Sequence, residues 1–286
     1  MGGRFATSPD GNPIAYDDVG SGSPALVLVH GWSCDRSYWR HQLAAFEANH
    51  RVVAVDIAGH GESGSDRASW TMPSFGADVA AVVDHLGLED VVLVGHSMGG
   101  DVVVETALIL GPRVAGLVWV DAYETLGAPD SPEELEAFLG PFRDDFVTHT
   151  RAFVREELFA PTSDPGLVEW VAADMSSAPP EIALDALLHS FTNETAATRG
   201  LDQLDVPAFA INAEGPGDLD SFRRHGMEPI VFPGSAHFLM LEDPARFNEV
   251  LAGVVGLIAA DHSRTSNSLP KRFVPRGPGS IEMNRL

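Results

Sequence analysis

The sequence predicts an α/β protein with a mostly parallel central sheet, flanking helices and an inserted helical lid. Between residues 25 and 121, short apolar runs of strand length alternate with longer runs that have helical spacing. Such alternation is typical of parallel strands joined by right-handed crossover helices. Residues 122–205 then carry only helical spacing, broken by prolines, before the strand pattern returns. The helical part is therefore expected to be an insertion into the sheet domain.

Each element follows from its local pattern. The chain opens with a hairpin around Ser8-Pro9-Asp10-Gly11, which is a strong turn sequence. Strands are expected at Arg4 to Thr7, Ile14 to Val19, Ala25 to His30, Arg51 to Asp56, Val91 to Val94, Val114 to Val120, Val206 to Asn212 and Glu228 to Phe232. Helices are expected at Arg36 to Ala48, Met72 to Leu86, Asp101 to Leu110, Pro132 to Gly140, Phe142 to Phe159, Asp164 to Met175, Pro180 to Phe191 and Pro244 to Ala260.

These elements divide the chain into a core, a lid and a tail. The core is expected to comprise residues 1–121 and 206–262, with the helical lid at 122–205. Residues 263–286 are rich in serine, proline, glycine and basic side chains, so this tail is expected to be disordered. Its contrast with the rest of the chain also suggests an origin in a vector or fusion.

The composition limits the possible partners. With 41 acidic and 18 basic residues, the formal net charge is −23, which disfavours nucleic acid and anionic membranes as partners. A single cysteine, Cys34, precludes an intrachain disulfide. No signal peptide or membrane-spanning run is recognised, so a cytoplasmic location is expected, as a monomer or a homodimer.

The segment Val91-Val92-Leu93-Val94-Gly95-His96-Ser97-Met98-Gly99-Gly100 carries the strongest functional signal. A buried strand, Gly-x-Ser-x-Gly and a helix follow one another, which is the context of a nucleophile elbow. The helix N-terminus beneath the serine would stabilise developing negative charge. Ser97 is therefore expected to be a catalytic nucleophile. A serine hydroxyl needs a base to take its proton, and His237 is the candidate for that base.

Over about residues 3 to 260 the chain resembles α/β-hydrolase fold enzymes. The matching motifs are His30-Gly31-Trp32, Asp56-x-x-Gly59-His60-Gly61-x-Ser63, Gly95-His96-Ser97-Met98-Gly99-Gly100 and Gly234-Ser235-Ala236-His237-Phe238. Within that superfamily the chain is similar to lid-bearing serine esterases. Its chain order, serine first and histidine last, is that of the hydrolases. Serine at the nucleophile position disfavours dehalogenation through an alkyl-enzyme ester.

The acid that orients the histidine has three candidates. The resemblance places an aspartate after the strand Val206 to Asn212, but Pro216 stands at that position here. Glu214 comes somewhat early and Asp218 somewhat late for this role. Some family members instead use an acid at the end of the preceding sheet strand, which in this chain is Asp121. Asp121 is the preferred candidate, with Asp218 and Glu214 as alternatives.

The resemblance implies the rest of the site. The backbone N–H groups of Trp32 and Met98 would stabilise the oxyanion of a tetrahedral intermediate, and His30, Gly31 and His96 would line the substrate site. Five aromatic residues of the lid are expected either to form the core of the lid or to wall an apolar acyl pocket: Phe138, Phe142, Phe146, Phe153 and Phe159. No metal or dinucleotide motif is present in the sequence, so no cofactor is expected.

The sequence thus predicts a serine carboxylic ester hydrolase that acts on small to medium uncharged acyl esters. Three alternatives use the same site: lactone hydrolysis, perhydrolysis and hydrolysis of a carbon–carbon bond. A noncatalytic homologue that binds a small molecule is the alternative from another class.

Overall fold

The computed structural model describes residues 4–123, 131–213 and 217–267, which contain one sheet of eight strands. The strands are β1 (Arg4–Thr7), β2 (Pro13–Gly20), β3 (Ala25–Val29), β4 (Arg51–Val55), β5 (Val91–His96), β6 (Val114–Val120), β7 (Ala208–Ala213) and β8 (Met227–Phe232). Their order across the sheet is β1-β2-β4-β3-β5-β6-β7-β8. The hairpin β1–β2 and the pair β2–β4 are antiparallel, and the other pairs are parallel. The predicted fold class, a mostly parallel sheet flanked by helices, is confirmed.

The helices lie between and after these strands. They are α1 (Arg40–Phe46), α2 (Met72–Leu86), α3 (Gly99–Leu110), α4 (Pro132–Asp144), α5 (Phe146–Glu157), α6 (Pro165–Met175), α7 (Pro180–Leu201), α8 (Leu219–Arg224), α9 (Leu239–Glu242) and α10 (Pro244–Asn267). Two 3-10 turns, Arg36–Trp39 and Gly111–Arg113, complete the set within the described residues. None of the described helices combines the length and the apolar composition that a membrane span requires.

Helices α4 to α7 lie between β6 and β7 and are called the helical insertion below. Three of these helices differ from the sequence prediction by more than one residue. Helix α5 is shorter than the predicted Phe142 to Phe159, because Asp145 caps a helix that begins at Phe146. Helix α4 continues through Pro141 to Asp144, because proline already has a helical φ and gives up only one hydrogen bond. Helix α7 runs ten residues past Phe191 to Leu201, where Gly200 lets it approach Val104 of α3 closely.

Three differences concern the C-terminal part of the chain. The short helices α8 and α9 were not predicted, because six and four residues give too little periodicity to recognise. Helix α10 continues to Asn267 and so includes the first five residues of the segment assigned to the tail. The remainder of that segment, residues 268–286, lies outside the described residues.

The central strands are buried, and the turn after β5 is packed tightly against the ends of β3 and β5. Every residue of β3, β5 and β6 is buried. A Cβ atom on Gly95 would lie 2.1 Å from the Gly99 carbonyl oxygen, and one on Gly99 would lie 2.6 Å from the Val29 carbonyl oxygen. Only glycine therefore allows α3 to start this close to the ends of β3 and β5.

We predict that Gly95→Ala lowers the free energy of unfolding by at least about 3 kcal/mol, because the clash involves backbone atoms that no rotamer change can move. Urea denaturation measures this loss. Gly253→Ala is the matched control, since a Cβ atom there meets nothing within 4 Å. On helix α10 this control should raise stability by up to about 1 kcal/mol. Equal midpoints for Gly95→Ala and the wild type would contradict the tight packing.

Candidate active site

The carboxyl ends of β5 and β6 bring Ser97 and Asp121 to one edge of the sheet. Ser97 follows β5 directly, and its φ of +53° lies in the left-handed region that side chains rarely adopt. Its amide donates a hydrogen bond to the Val120 carbonyl oxygen at 3.0 Å, which fastens the turn to the neighbouring strand. Ser97 lines a cavity at this edge of the sheet.

His237 lies in the loop after β8 and lines the same cavity. Its amide donates to the Leu158 carbonyl oxygen next to α5 (3.2 Å), which ties the loop to the helical insertion. Its carbonyl oxygen accepts a hydrogen bond from His96 Nε2 (2.9 Å). The preceding amide, of Ala236, donates to Glu242 Oε1 (2.9 Å). These three contacts hold the His237 backbone in one place.

Asp121 lies at the end of β6 with a φ of +48°. Its Oδ2 lies 2.8 Å from His237 Nδ1. Its other oxygen, Oδ1, accepts a hydrogen bond from the Ala213 amide at 2.7 Å. The Asp121 amide in turn donates to the Ile211 carbonyl oxygen at 2.9 Å. Two contacts with β7 thus fix the carboxylate that meets the histidine.

The alternative acids are placed differently. Asp218 caps α8: one oxygen accepts a hydrogen bond from the Asp220 amide, and the other pairs with Arg224 at 2.9 Å. The hydrogen bond from Arg224 lowers the pKa of the Asp218 carboxyl. Asp218 is thus engaged by its own helix, whereas Asp121 reaches His237. Glu214 lies outside the described residues.

The hydrogen bonds define the protonation of both histidines. A carboxylate accepts only, so His237 Nδ1 donates to Asp121, and in the neutral form of the ring Nε2 carries the lone pair. A carbonyl also accepts only, so His96 Nε2 carries the proton given to His237 O. Burial lowers the pKa of His96 well below its usual range, which keeps this ring neutral. The His237 ring can therefore accept a proton at Nε2.

Two backbone N–H groups are available near Ser97. Among the described residues, neither the Trp32 amide nor the Met98 amide donates to a backbone carbonyl. Both residues line the cavity, and Met98 immediately precedes α3. The Trp32 indole is engaged elsewhere: Nε1 donates to the Ala183 carbonyl oxygen of α7 at 2.7 Å. The Trp32 side chain thus anchors the helical insertion, while its backbone amide donates to no backbone carbonyl of the described residues.

Two of the three residues predicted to line the substrate site lie on the cavity wall. Gly31 and His96 line the cavity. The His30 side chain is fully buried and is not among the lining residues, which corrects the expectation of a direct substrate contact. Its Nε2 accepts from the Ile57 amide (3.3 Å) and its Nδ1 donates to the Gly31 carbonyl oxygen (2.8 Å). The ring therefore holds the loop that carries the Trp32 amide.

The cavity has a volume of about 480 Å³, which lies within the usual range for sites that bind small molecules. Its wall is largely apolar, with Phe138, Phe153 and Phe191 from the helical insertion and Phe238 beside His237 as its aromatic part. Three of the lid phenylalanines named in the sequence analysis lie in the core instead of on the wall: Phe142, Phe146 and Phe159.

Sequence reasoning missed one polar part of the cavity wall. Asp101, Tyr123 and Ser190 lie there, on α3, after β6 and on α7. The usable signal was an acidic residue in the first turn of a mostly apolar helix, four positions after Ser97. Elsewhere in the described part of the chain, no three His, Cys, Asp or Glu side chains are grouped so as to hold a metal ion.

Cys34 is the other potential nucleophile on the cavity wall. It is buried, and its Sγ donates to the Trp32 carbonyl oxygen at 3.3 Å. Burial raises the pKa of the thiol well above its usual value, and only the thiolate is a strong nucleophile. Cys34 is thus a packing residue of the cavity wall.

We predict that the Cys34 thiol of the native protein reacts with 5,5′-dithiobis(2-nitrobenzoate) far more slowly than the same thiol after unfolding in guanidinium chloride. The total should be 1 thiol per chain. Cys34→Ala should retain labelling of Ser97 by a fluorophosphonate probe. Fast reaction of the native thiol, or loss of labelling in Cys34→Ala, would contradict this assignment.

Comparison with known proteins places this geometry in context. The chain is 41% identical over 155 residues to a non-heme haloperoxidase of Rhodococcus erythropolis, covering 52% of this chain and 56% of that protein. It therefore spans about half the length of that curated relative. A pimeloyl-acyl-carrier-protein methyl ester esterase of Sodalis glossinidius is 27% identical over 256 residues, covering 83% of this chain and 96% of that protein.

The fold is also found in solved structures. An esterase from Exiguobacterium antarcticum superposes with a TM-score of 0.79 at 22% identity, covering 89% of this chain and 100% of that one. The model of a family described as the alpha/beta hydrolase family matches residues 26–250. This match covers most of the chain, which therefore belongs to the alpha/beta hydrolase family.

Proposed function

We propose that the protein is a serine hydrolase of carboxylic esters, acting on small to medium uncharged acyl esters. The observation that carries this proposal is the hydrogen bond between Asp121 and His237, on the wall of the cavity that Ser97 also lines. A carboxylate, an imidazole and a serine hydroxyl in this relation can generate a nucleophilic oxygen at neutral pH.

The reaction proceeds in two acyl-transfer steps. His237 Nε2 takes the proton of Ser97 as the serine oxygen attacks the ester carbonyl, and Asp121 stabilises the imidazolium that forms. The Trp32 and Met98 amides donate hydrogen bonds to the oxyanion. His237 then protonates the leaving alcohol, and an acyl-enzyme remains on Ser97. Water, deprotonated by His237, attacks the acyl-enzyme and releases the acid.

The cavity and the surface charge support the proposed substrate class. An apolar wall favours acyl chains without charge, because burying an unpaired charge there is costly. A formal net charge of −23 also repels anionic esters from the protein. The relative named as a methyl ester esterase, which aligns over most of its length, supports an ester substrate.

Perhydrolysis is a second candidate, favoured by the relative named a non-heme haloperoxidase. In that reaction hydrogen peroxide replaces water as the nucleophile that attacks the acyl-enzyme, and the product is a peracid. Ester turnover with hydrogen peroxide present distinguishes the two reactions. Under hydrolysis alone, the carboxylic acid accounts for all of the acyl groups released.

The direct test uses p-nitrophenyl acetate, butyrate, hexanoate and octanoate. We expect turnover by the wild type with an optimum at a limited chain length, because the cavity is finite. Ser97→Ala should lower kcat/KM by at least about 10⁴-fold, since the group that forms the acyl-enzyme is gone. Release of nitrophenolate at equal rates by both proteins would contradict the proposal.

The assignment of the acid has its own test. Asp121→Asn should lower kcat by about 10³- to 10⁴-fold, because the neutral amide does not stabilise the imidazolium and its NH₂ group can donate to Nδ1, which favours the wrong tautomer. Asp218→Asn is the matched control and should retain wild-type kcat. Thermal unfolding shows whether both variants fold. A large loss in Asp218→Asn with little loss in Asp121→Asn would reverse the assignment.

A further inference from the structure

Asp101 is a buried carboxyl group on the cavity wall that the proposed reaction does not use. It lies four residues after Ser97 on α3, and its exposed fraction is 1%. Asp101 lies in the first turn of α3, which begins at Gly99, and it lines the same cavity as Ser97.

The partners of this carboxyl group are neutral. Its Oδ1 accepts hydrogen bonds from the Tyr123 hydroxyl (2.8 Å) and from Asn193 Nδ2 (3.2 Å). Its Oδ2 accepts one from the Ser190 hydroxyl, at the longer distance of 3.3 Å. A carboxylate oxygen can accept two hydrogen bonds, so Oδ2 retains acceptor capacity within the described structure.

No Lys or Arg side chain in the described ranges pairs with Asp101. Burial raises the pKa of its carboxyl to about 7, while the hydrogen bonds from Tyr123, Asn193 and Ser190 act in the opposite direction. At neutral pH a substantial fraction is therefore ionised in a largely apolar cavity. A further hydrogen-bond donor would stabilise that charge.

Asp101 belongs to a polar part of a cavity wall that is otherwise mostly apolar. Asp101, Tyr123 and Ser190 line the cavity together and are called the distal patch below. Phe138, Phe191 and other apolar side chains form most of the remaining wall. Among the described residues, the distal patch places a carboxyl and two hydroxyl groups on a wall that is otherwise mostly apolar.

We propose that the distal patch is a specificity site that binds a neutral hydrogen-bond donor, a hydroxyl or an amide N–H, on an otherwise apolar substrate. This inference deepens the proposed function and rests on it. The donor is on the acyl chain or on the leaving alcohol, and it gives its hydrogen bond to Asp101 Oδ2. An ester with the same shape but no donor leaves the buried carboxylate without that partner.

A structural role for Asp101 makes a different prediction. Asn193 contacts Asp101 but does not line the cavity, and with Ser190 it connects α3 to α7 of the helical insertion. If Asp101 served only to attach this helix, its loss would change the turnover of all esters alike. A binding role changes the ratio between esters with and without a donor.

The experiment compares esters matched in size. On the acyl side these are methyl 6-hydroxyhexanoate, methyl 5-methoxypentanoate and methyl heptanoate. On the alcohol side they are 4-hydroxybutyl, 3-methoxypropyl and pentyl acetate. Hydrolysis is followed by acid release in a pH-stat. A purely apolar cavity would favour the methyl-terminated compound in each series, so a preference for the hydroxyl compound requires a hydrogen-bonding partner.

We expect the wild type to prefer the hydroxyl ester over its methyl counterpart by at least about tenfold in kcat/KM, in one of the two series. Asp101→Asn should reduce this ratio to about one or below. Ser190→Val, which leaves the carboxylate in place but puts methyl groups beside Oδ2, should also reduce it. Asp218→Asn, which changes a carboxylate that does not line the cavity, is the control and should keep the wild-type ratio.

Direct binding separates failure of the distal patch from failure of the proposed function. Calorimetric titration of Ser97→Ala with the same hydroxyl and methyl esters needs no turnover. Tighter binding of the hydroxyl ester, lost in Ser97→Ala/Asp101→Asn, supports the distal patch even if the wild type hydrolyses nothing. Ser97-dependent hydrolysis without any hydroxyl preference in either series would overturn the distal patch and leave the esterase proposal standing. A ratio unchanged in both Asp101→Asn and Ser190→Val would also overturn it.

Discussion

The hydrogen bond between Asp121 and His237 is the interaction on which the arrangement of the site depends. It joins the end of β6 to the loop after β8 across 116 positions of the chain. The strand between them, β7, takes part as well, since the Ala213 amide holds the second oxygen of Asp121. Because the three strands are parallel neighbours, their carboxyl ends meet at one edge. The histidine is thus oriented by the sheet itself.

Three residues at this edge of the sheet have unusual backbone conformations. Ser33, Ser97 and Asp121 all have φ values near +50°. Each such residue costs roughly 1–3 kcal/mol, so the surrounding packing has to enforce it. At Ser97 the enforcement comes from the glycines that allow α3 to approach β5, together with the hydrogen bond from Ser97 N to β6. The strain exposes the serine at the cavity and turns Asp121 toward the histidine.

Much of this was readable from the sequence, and the reasons are specific. The positions of β5 and Ser97 follow from a local pattern of strand, tight turn and helix, and Met72–Leu86 and Val114–Val120 match their predicted bounds. The residue that orients His237 was harder to predict, because its identity depends on which strand ends close to His237 in the folded sheet. Local sequence near Asp121 and Asp218 contains no such information; the register of β6 against β7 does. The distal patch was missed for the same reason, since its three residues are distant in sequence.

The measurement that tests the central claim most directly is proton NMR of the strongly deshielded imidazole N–H proton. The account predicts a far-downfield resonance from His237 Nδ1–H that is present in the wild type and in Asp218→Asn. The same resonance should be absent in Asp121→Asn and in His237→Ala. A downfield resonance that persists in Asp121→Asn and disappears in Asp218→Asn would show that a different carboxylate holds the histidine, and would contradict the account.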